Sequence, residues 1–205
     1  MAMLNLLRPA LGRVLTPIGT AVARTGITPN AITITGTVGV TAGALWLYPQ
    51  GELFWGTLMI TAFVLFDMLD GAVARVTGKI SKWGAFLDSS MDRVADAAIF
   101  SGLILWLAGR GDNMPLAGIA LFCLVAGALV SYIKARAEGV GYTCDVGLAE
   151  RGERLIIVLV AAGLAGLGVP YALHVGLWLL AAASAITVFQ RFAVVRRQAF
   201  AEAKL

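Results

Sequence analysis

Long stretches of this chain contain no charged residue, and a helix that crosses about 30 Å of hydrocarbon needs roughly 20 consecutive, mostly apolar residues. Residues 31–48 carry no charge. Residues 53–66 carry none either, but they reach crossing length only by running on through Asp67, Asp70 and Arg75. A third run, 84–108, holds Asp88, Asp92, Arg93 and Asp96 in its first half, and a fourth, 114–133, is uninterrupted. Residues 155–190 are charge-free and too long for one crossing, and Gly166-Leu167-Gly168-Val169-Pro170 supplies a turn near their middle. The pattern predicts an all-α integral membrane protein, a single domain over 1–205 with six transmembrane helices at about 30–49, 53–77, 84–109, 114–137, 152–169 and 171–195. Three hairpins then place both termini on the same side.

Ahead of the first crossing, Leu4, Leu7, Leu11, Leu15, Ile18 and Val22 recur on one helical face. Ala21-Val22-Ala23 imitates a signal-peptide cleavage site, but Arg8, Pro9, Arg13 and Pro17 interrupt any apolar core of such a peptide. Residues 1–28 are therefore expected to form an amphipathic helix in the membrane interface, bent at Pro17. Thr28 is expected to cap the first crossing, with Pro29 tolerated in its first turn.

Composition agrees with the pattern. Of 205 residues, 59% are hydrophobic and 14% charged, against about 45–50% and 25% in soluble domains. That excludes an ordinary soluble domain, and a disordered chain would need the reverse balance. Cys123 and Cys144 match neither a metal spacing nor a disulfide framework and are expected to be free thiols. All sixteen lysines and arginines except Arg93 and Arg110 fall on the face that carries the termini. By the positive-inside rule that face is cytosolic, which makes the chain a multi-pass cell-membrane protein.

The chemistry is concentrated in five aspartates within thirty residues. Charges in a crossing are costly, so they need a partner. Asp67 and Asp70 are spaced i, i+3 on one helical face, and Asp88 and Asp92 are spaced i, i+4 on another. The loop between them folds the two helices together, so four carboxylates should converge at the cytosolic edge of the bilayer. Oxygen ligands without histidine or cysteine select a hard ion, Mg²⁺ or Mn²⁺, and four charges match two such ions. Gly71 and Ala74 are small enough for a phosphate or nucleotide to approach the helix, or for close helix packing, and Arg75 adds positive charge.

The string Asp67-x2-Asp70-Gly71-x2-Ala74-Arg75-x8-Gly84-x3-Asp88-x3-Asp92 resembles, at every defined position, the signature of the CDP-alcohol phosphotransferases. The six-span layout resembles that family too. The resemblance implies transfer of a substituted phosphoryl group from a CDP-linked donor, usually CDP-diacylglycerol, to an alcohol, with release of CMP. It further implies that Asp67, Asp70 and Asp88 hold metal and that Asp92 is the base and a candidate fourth ligand. Gly71, Ala74 and Arg75 would contact the cytidine diphosphate, Pro29 and Asn30 would belong to the nucleotide side, and the enzyme would be a homodimer.

The acceptor is decided elsewhere. Ser131, Lys134 and Arg136 end the fourth crossing, Arg151 and Arg154 begin the fifth, and Arg191 ends the sixth, all on the active-site side. Together they suit an acceptor with its own phosphate, because guanidinium groups bind phosphate oxygens bidentately. The positive-inside rule alone would also put basic residues there, and Glu138, Asp145, Glu150 and Glu153 dilute them. Within the family, the resemblance is nearest to enzymes that make phosphatidylinositol phosphate from inositol phosphate. The alternatives are a phosphatidylglycerophosphate synthase using glycerol 3-phosphate and, outside the enzymes, a cation transporter. His174 reads as a packed or interfacial residue, and Asp96 as either part of the polar site or a partner of Arg93. Gly36, Gly39, Gly43, Gly163 and Gly166 permit close helix contacts within or between chains.

Overall fold

The computed structural model describes residues 17–202. The interfacial helix expected over 1–28 lies mostly outside them; residues 17–24 are helical, and Val22 and Ala23 pack against a small cluster of Ile32, Leu69 and Val73. Seven α-helices follow: α1 (Pro29–Leu47), α2 (Leu53–Asp67), α3 (Leu69–Thr77), α4 (Lys82–Ala108), α5 (Met114–Gly139), α6 (Arg151–Gly166) and α7 (Ala172–Glu202), with a 3₁₀ turn at Tyr48–Gln50. There is no strand among the described residues. Thr28 caps α1 as expected, its side chain accepting from the Ala31 N–H, with Pro29 in the first turn.

Four helical stretches are long and apolar enough to cross a membrane: Pro29–Gln50, Leu53–Thr77, Met114–Gly139 and Ala172–Glu202. The other two expected crossings fall short for separate reasons. Helix α4 has 27 residues, but Asp88, Asp92, Arg93 and Asp96 interrupt its apolar surface. Helix α6 has 16 residues and spans about 24 Å, ending at Gly166 because Gly168 adopts a positive φ of 83° in the turn that follows.

The helices close into a ring in which α1 packs on α4, α4 on α5, α5 on α7, α7 on α6, α6 on α2 and α2 on α1. Its centre is filled by fully buried Tyr48, Ile60, Ile99, Leu103, Leu107, Leu177 and Leu180. The one polar atom on Tyr48 is satisfied by Thr57 Oγ1 at 2.8 Å, as a buried hydroxyl requires. Trp46, Trp55, Val175, Trp178, Leu179 and Phe189 point outward instead, the arrangement of a chain solvated by lipid. Both cysteines are free and buried, and His174 is packed at the opposite end from the aspartates, its Nε2 3.0 Å from Asn113 Nδ2.

Small residues set the helix spacing. A Cβ on Gly39 would lie 2.2 Å from the Phe63 ring, and Gly36 and Gly43 likewise face α2; Gly163 and Gly166 face Thr57 and Phe54. These contacts are all within one chain. At the crossing of α1 and α4 the obstacle is backbone, a Cβ on Gly102 lying 2.2 Å from the Ala44 carbonyl oxygen. Gly102→Ala must push the two helices apart, an overpacking that costs about 1–3 kcal/mol. Thermal unfolding in detergent should therefore shift down by several degrees, whereas Gly118→Ala, whose added methyl meets no side chain or neighbouring helix within 4 Å among the described residues, should not lower the midpoint.

Candidate active site

The site is built on the turn from α3 into α4. Gly78 ends α3 in the left-handed region at φ 66°, where its N–H reaches back to the carbonyls of Ala74 and Arg75, a conformation glycine adopts without steric cost. Ser81 then caps α4, its hydroxyl accepting from the Gly84 N–H at 3.0 Å. The chain doubles back within a few residues and faces the start of α4 toward the α2–α3 junction. There, Met68 interrupts the helix between Asp67 and Asp70.

One carboxylate oxygen from each of Asp67, Asp88 and Asp92 lies within 4.8 Å of the others. Asp67 Oδ1 is buried with no hydrogen-bond partner among the described residues, and Gly36 leaves room for α1 against its side chain. The expected fourth carboxylate, Asp70, lies beside this group and lines the same cavity as Asp88, and it accepts from Thr33 Oγ1 at 2.7 Å and from the Gly71 N–H.

Two cavities meet at this cluster. The first, about 290 Å³, is lined by Pro29, Asn30, Gly71, Ala74 and Arg75, together with Thr33, Asp70, Lys79, Ser81, Gly84 and Asp88. All five residues expected on the nucleotide side are thus brought together. The second, about 680 Å³, has Asp92 on its wall with Ser89, Arg93, Ser131, Tyr132, Lys134, Arg151 and Arg191. Asp88 and Asp92, one helical turn apart, connect the two.

Four of the six residues expected to bind an acceptor phosphate line the second cavity: Ser131, Lys134, Arg151 and Arg191. Two do not. Arg136 is exposed and lies two residues from Lys134, about 200° around the helix, on its other side. Arg154 sits one turn deeper along α6 than Arg151 and is buried, donating to Asp96 Oδ2 at 2.7 Å and to the Gly127 carbonyl at 2.9 Å. Asp96, left undecided by the sequence, is its partner and also meets Arg151 at 3.4 Å and Arg93 at 3.7 Å.

The donors in this cavity already have tasks. Arg151 Nη2 is 2.9 Å from Asp92 Oδ1. Lys134 bonds Asp145 at 2.5 Å, which holds the Asp145 carboxyl below the usual carboxylate range. Arg191 donates to the carbonyls of Val130 and Val146, tying the loop after α5 to α7; Gln198 and Thr187 add hydrogen bonds from α7 to the same loop. Sequence spacing missed Thr33 and Arg93. Thr33 is one turn beyond Asn30 on the same face of α1 and was findable on that ground, whereas Arg93 needed the fold to show that it turns toward the cavity.

Residues 26–189 match the CDP-alcohol phosphatidyltransferase family. Across 205 aligned residues, 96% of this chain and 84% of the relative, the chain is 52% identical to a phosphatidylinositol phosphate synthase of Streptomyces avermitilis. The crystal structure of Mycobacterium tuberculosis phosphatidylinositol phosphate synthase with CDP-DAG bound superposes with a TM-score of 0.85 at 49% identity, covering 89% of this chain and 94% of that one. The same enzyme in complex with manganese and citrate gives a TM-score of 0.84 over 88% of each chain. The fold and the paired cavities define a membrane transferase. The chain belongs to the CDP-alcohol phosphatidyltransferase family, which sets aside the cation-transporter alternative.

Removing the guanidinium of Arg154 would leave Asp96 buried beside a void at Gly127. A buried pair broken on one side costs about 3–5 kcal/mol. Arg154→Ala should therefore lower the unfolding temperature well beyond Arg136→Ala, which touches an exposed side chain, and equal midpoints would contradict the burial assigned to Arg154.

Proposed function

We propose that this chain transfers the phosphatidyl group of CDP-diacylglycerol to a hydroxyl of an inositol phosphate, yielding phosphatidylinositol phosphate and CMP. The observation that carries the reading is the position of one carboxylate cluster between two cavities. One of these is lined by small residues with Arg75 and Lys79, and the other by Arg93, Lys134, Arg151 and Arg191 with Glu138 and Glu150. The relatives named above, about 50% identical over nearly the whole chain, support the same acceptor.

The aspartates fit a hard divalent cation: an unpartnered buried Asp67 oxygen and three carboxylates within 4.8 Å make an all-oxygen donor set. Asp67, Asp88 and Asp92, with Asp70 beside them, would hold Mg²⁺ or Mn²⁺, and four charges suit two ions. When bound, such ions neutralise the donor pyrophosphate and polarise the phosphorus under attack. Pro29, Asn30, Gly71, Ala74 and Arg75 hold the cytidine diphosphate. Gly71 and Ala74 admit it close to the helix, and Arg75 adds a charge-assisted contact to its phosphates. Ser131, Lys134, Arg151 and Arg191 orient the acceptor phosphate. Asp92 takes the proton from the attacking hydroxyl. That oxygen bonds to the phosphatidyl phosphorus as the bond to CMP breaks, and CMP leaves with the electron pair.

The same reading places the site at the cytosolic membrane surface, with both termini on that side and all six helical segments crossing the bilayer. The 1–205 chain is one domain whose first 28 residues lie in the interface, and it works as a homodimer. The acyl chains of the donor then stay in lipid while its head group enters the first cavity. The distribution of lysine and arginine supports this orientation.

CMP release by purified enzyme with CDP-diacylglycerol and each of three acceptors tests the assignment. Inositol phosphate should be preferred; preference for glycerol 3-phosphate would move the acceptor and keep the mechanism, and preference for free inositol would refute the anion cavity. EDTA should abolish turnover until Mg²⁺ or Mn²⁺ is restored, and Asp67→Asn or Asp88→Asn should not be rescued by added metal. Asp92→Asn should lose about 10²–10⁴ in rate while nucleotide binding survives, the usual worth of a general base. Loss of donor binding in that variant would instead make Asp92 chiefly a ligand.

A further inference from the structure

We propose that Asp96, which lines neither cavity, is a positioning residue that holds the Arg151 guanidinium between Asp92 and the acceptor, with buried Arg154 as its anchor. The inference rests on the acceptor being an anion, as proposed above.

One carboxylate meets three guanidinium groups. Asp96 Oδ2 accepts from Arg154 Nη2 at 2.7 Å and lies 3.7 Å from Arg93 Nη2, and Oδ1 is 3.4 Å from Arg151 Nε. Arg154 is 3% exposed and Asp96 7%. On its far side Arg154 donates to the Gly127 carbonyl at 2.9 Å, and a Cβ on Gly127 would lie 2.5 Å from the guanidinium carbon. The glycine is what admits the arginine, so α4, α5 and α6 lock at this point.

Such a pair contributes little net stability, because desolvation offsets most of the attraction; what it fixes is geometry. The geometry that matters is at Arg151. A guanidinium beside a carboxylate frequently forms a bidentate pair, which at Asp92 would occupy both the proposed base and a donor for the acceptor. In this structure Arg151 Nε lies 3.4 Å from Asp96 Oδ1, an ion-pair contact without a hydrogen bond, and Nη2 makes a single 2.9 Å contact to Asp92 Oδ1 while the side chain still lines the acceptor cavity. Arg93, on the wall of the same cavity, leans on the same carboxylate.

The test is Asp96→Asn, which keeps shape and removes charge, assayed in the full-length enzyme with Mg²⁺. The KM for inositol phosphate should rise about ten- to a hundredfold with the KM for CDP-diacylglycerol unchanged, and calorimetric binding of inositol phosphate should weaken by a similar factor. Asp96→Glu should recover part of the loss. Because the effect runs through Arg151, Asp96→Asn should add almost nothing in an Arg151→Ala background. Additive effects, or equal losses for donor and acceptor, would overturn the proposal in favour of a purely structural role. If Asp96→Asn does not fold, Arg154→Lys carries the same expectation, and failure of both to fold would likewise assign the cluster to stability. Wild-type preference for an unphosphorylated acceptor would overturn this inference and the functional reading together. Normal acceptor use by wild type with no selective defect in the variants would overturn this inference alone.

Discussion

Asp67, Asp88 and Asp92 present oxygens within 4.8 Å of one another at one end of a bundle whose centre is apolar. Two like charges at that separation repel by about 3 kcal/mol even at an effective dielectric constant near 20. Much of the surrounding structure can be understood as what tolerates or compensates this crowding. Gly36 lets α1 close against Asp67. Thr33 donates its hydroxyl to Asp70 beside the cluster. Arg151 sets a positive charge against Asp92. The αL glycine at 78 and the Ser81 cap fix the short turn that faces α4 back toward the α2–α3 junction.

The crowding also organises the two cavities. Asp88 faces one and Asp92, a turn later on α4, faces the other. In the proposed reaction, donor and acceptor reach this turn from the two cavities, and the attacking oxygen must come within about 3–3.5 Å of the phosphorus. Remote binding residues then serve to deliver each substrate to that turn, which is how positioning lowers a barrier. The basic residues of the second cavity are correspondingly restrained: Arg191 by two backbone carbonyls, Lys134 by Asp145, and Arg151 by two aspartates.

Local regularities made much of this legible in the sequence. The spacing of Asp88 with Asp92 gave a shared helical face, and the turn before it gave its approach to Asp67, although Met68 divides the helix expected to carry Asp67 and Asp70 together. Thr28 and Pro29 announced the start of α1, and the charge-free runs announced the helices. Contacts that depend on depth or on a distant element stayed hidden. Nothing near Asp70 says that Thr33, 37 residues earlier, will claim its carboxylate. Arg151 and Arg154 look equivalent as helix-end basic residues, and only the packing of α5, through Gly127, shows that the second is buried one turn deeper. Lys134 and Arg136 differ in the same way, since two residues along a helix reverse the face. The fifth helix ends at Gly166, where the turn read from Gly166–Pro170 begins and Gly168 takes a positive φ, a little short of the expected 169.

The central claim is that these carboxylates hold a divalent cation against the donor's pyrophosphate. Pulsed electron–nuclear double resonance on Mn²⁺-loaded protein with CDP-diacylglycerol reads that contact without turnover. The account predicts a resolved ³¹P hyperfine coupling to bound Mn²⁺, present in the native chain and absent when Asp88 is replaced by asparagine. Tight Mn²⁺ binding with no phosphorus coupling, or a coupling that survives loss of the Asp88 carboxylate, would contradict it.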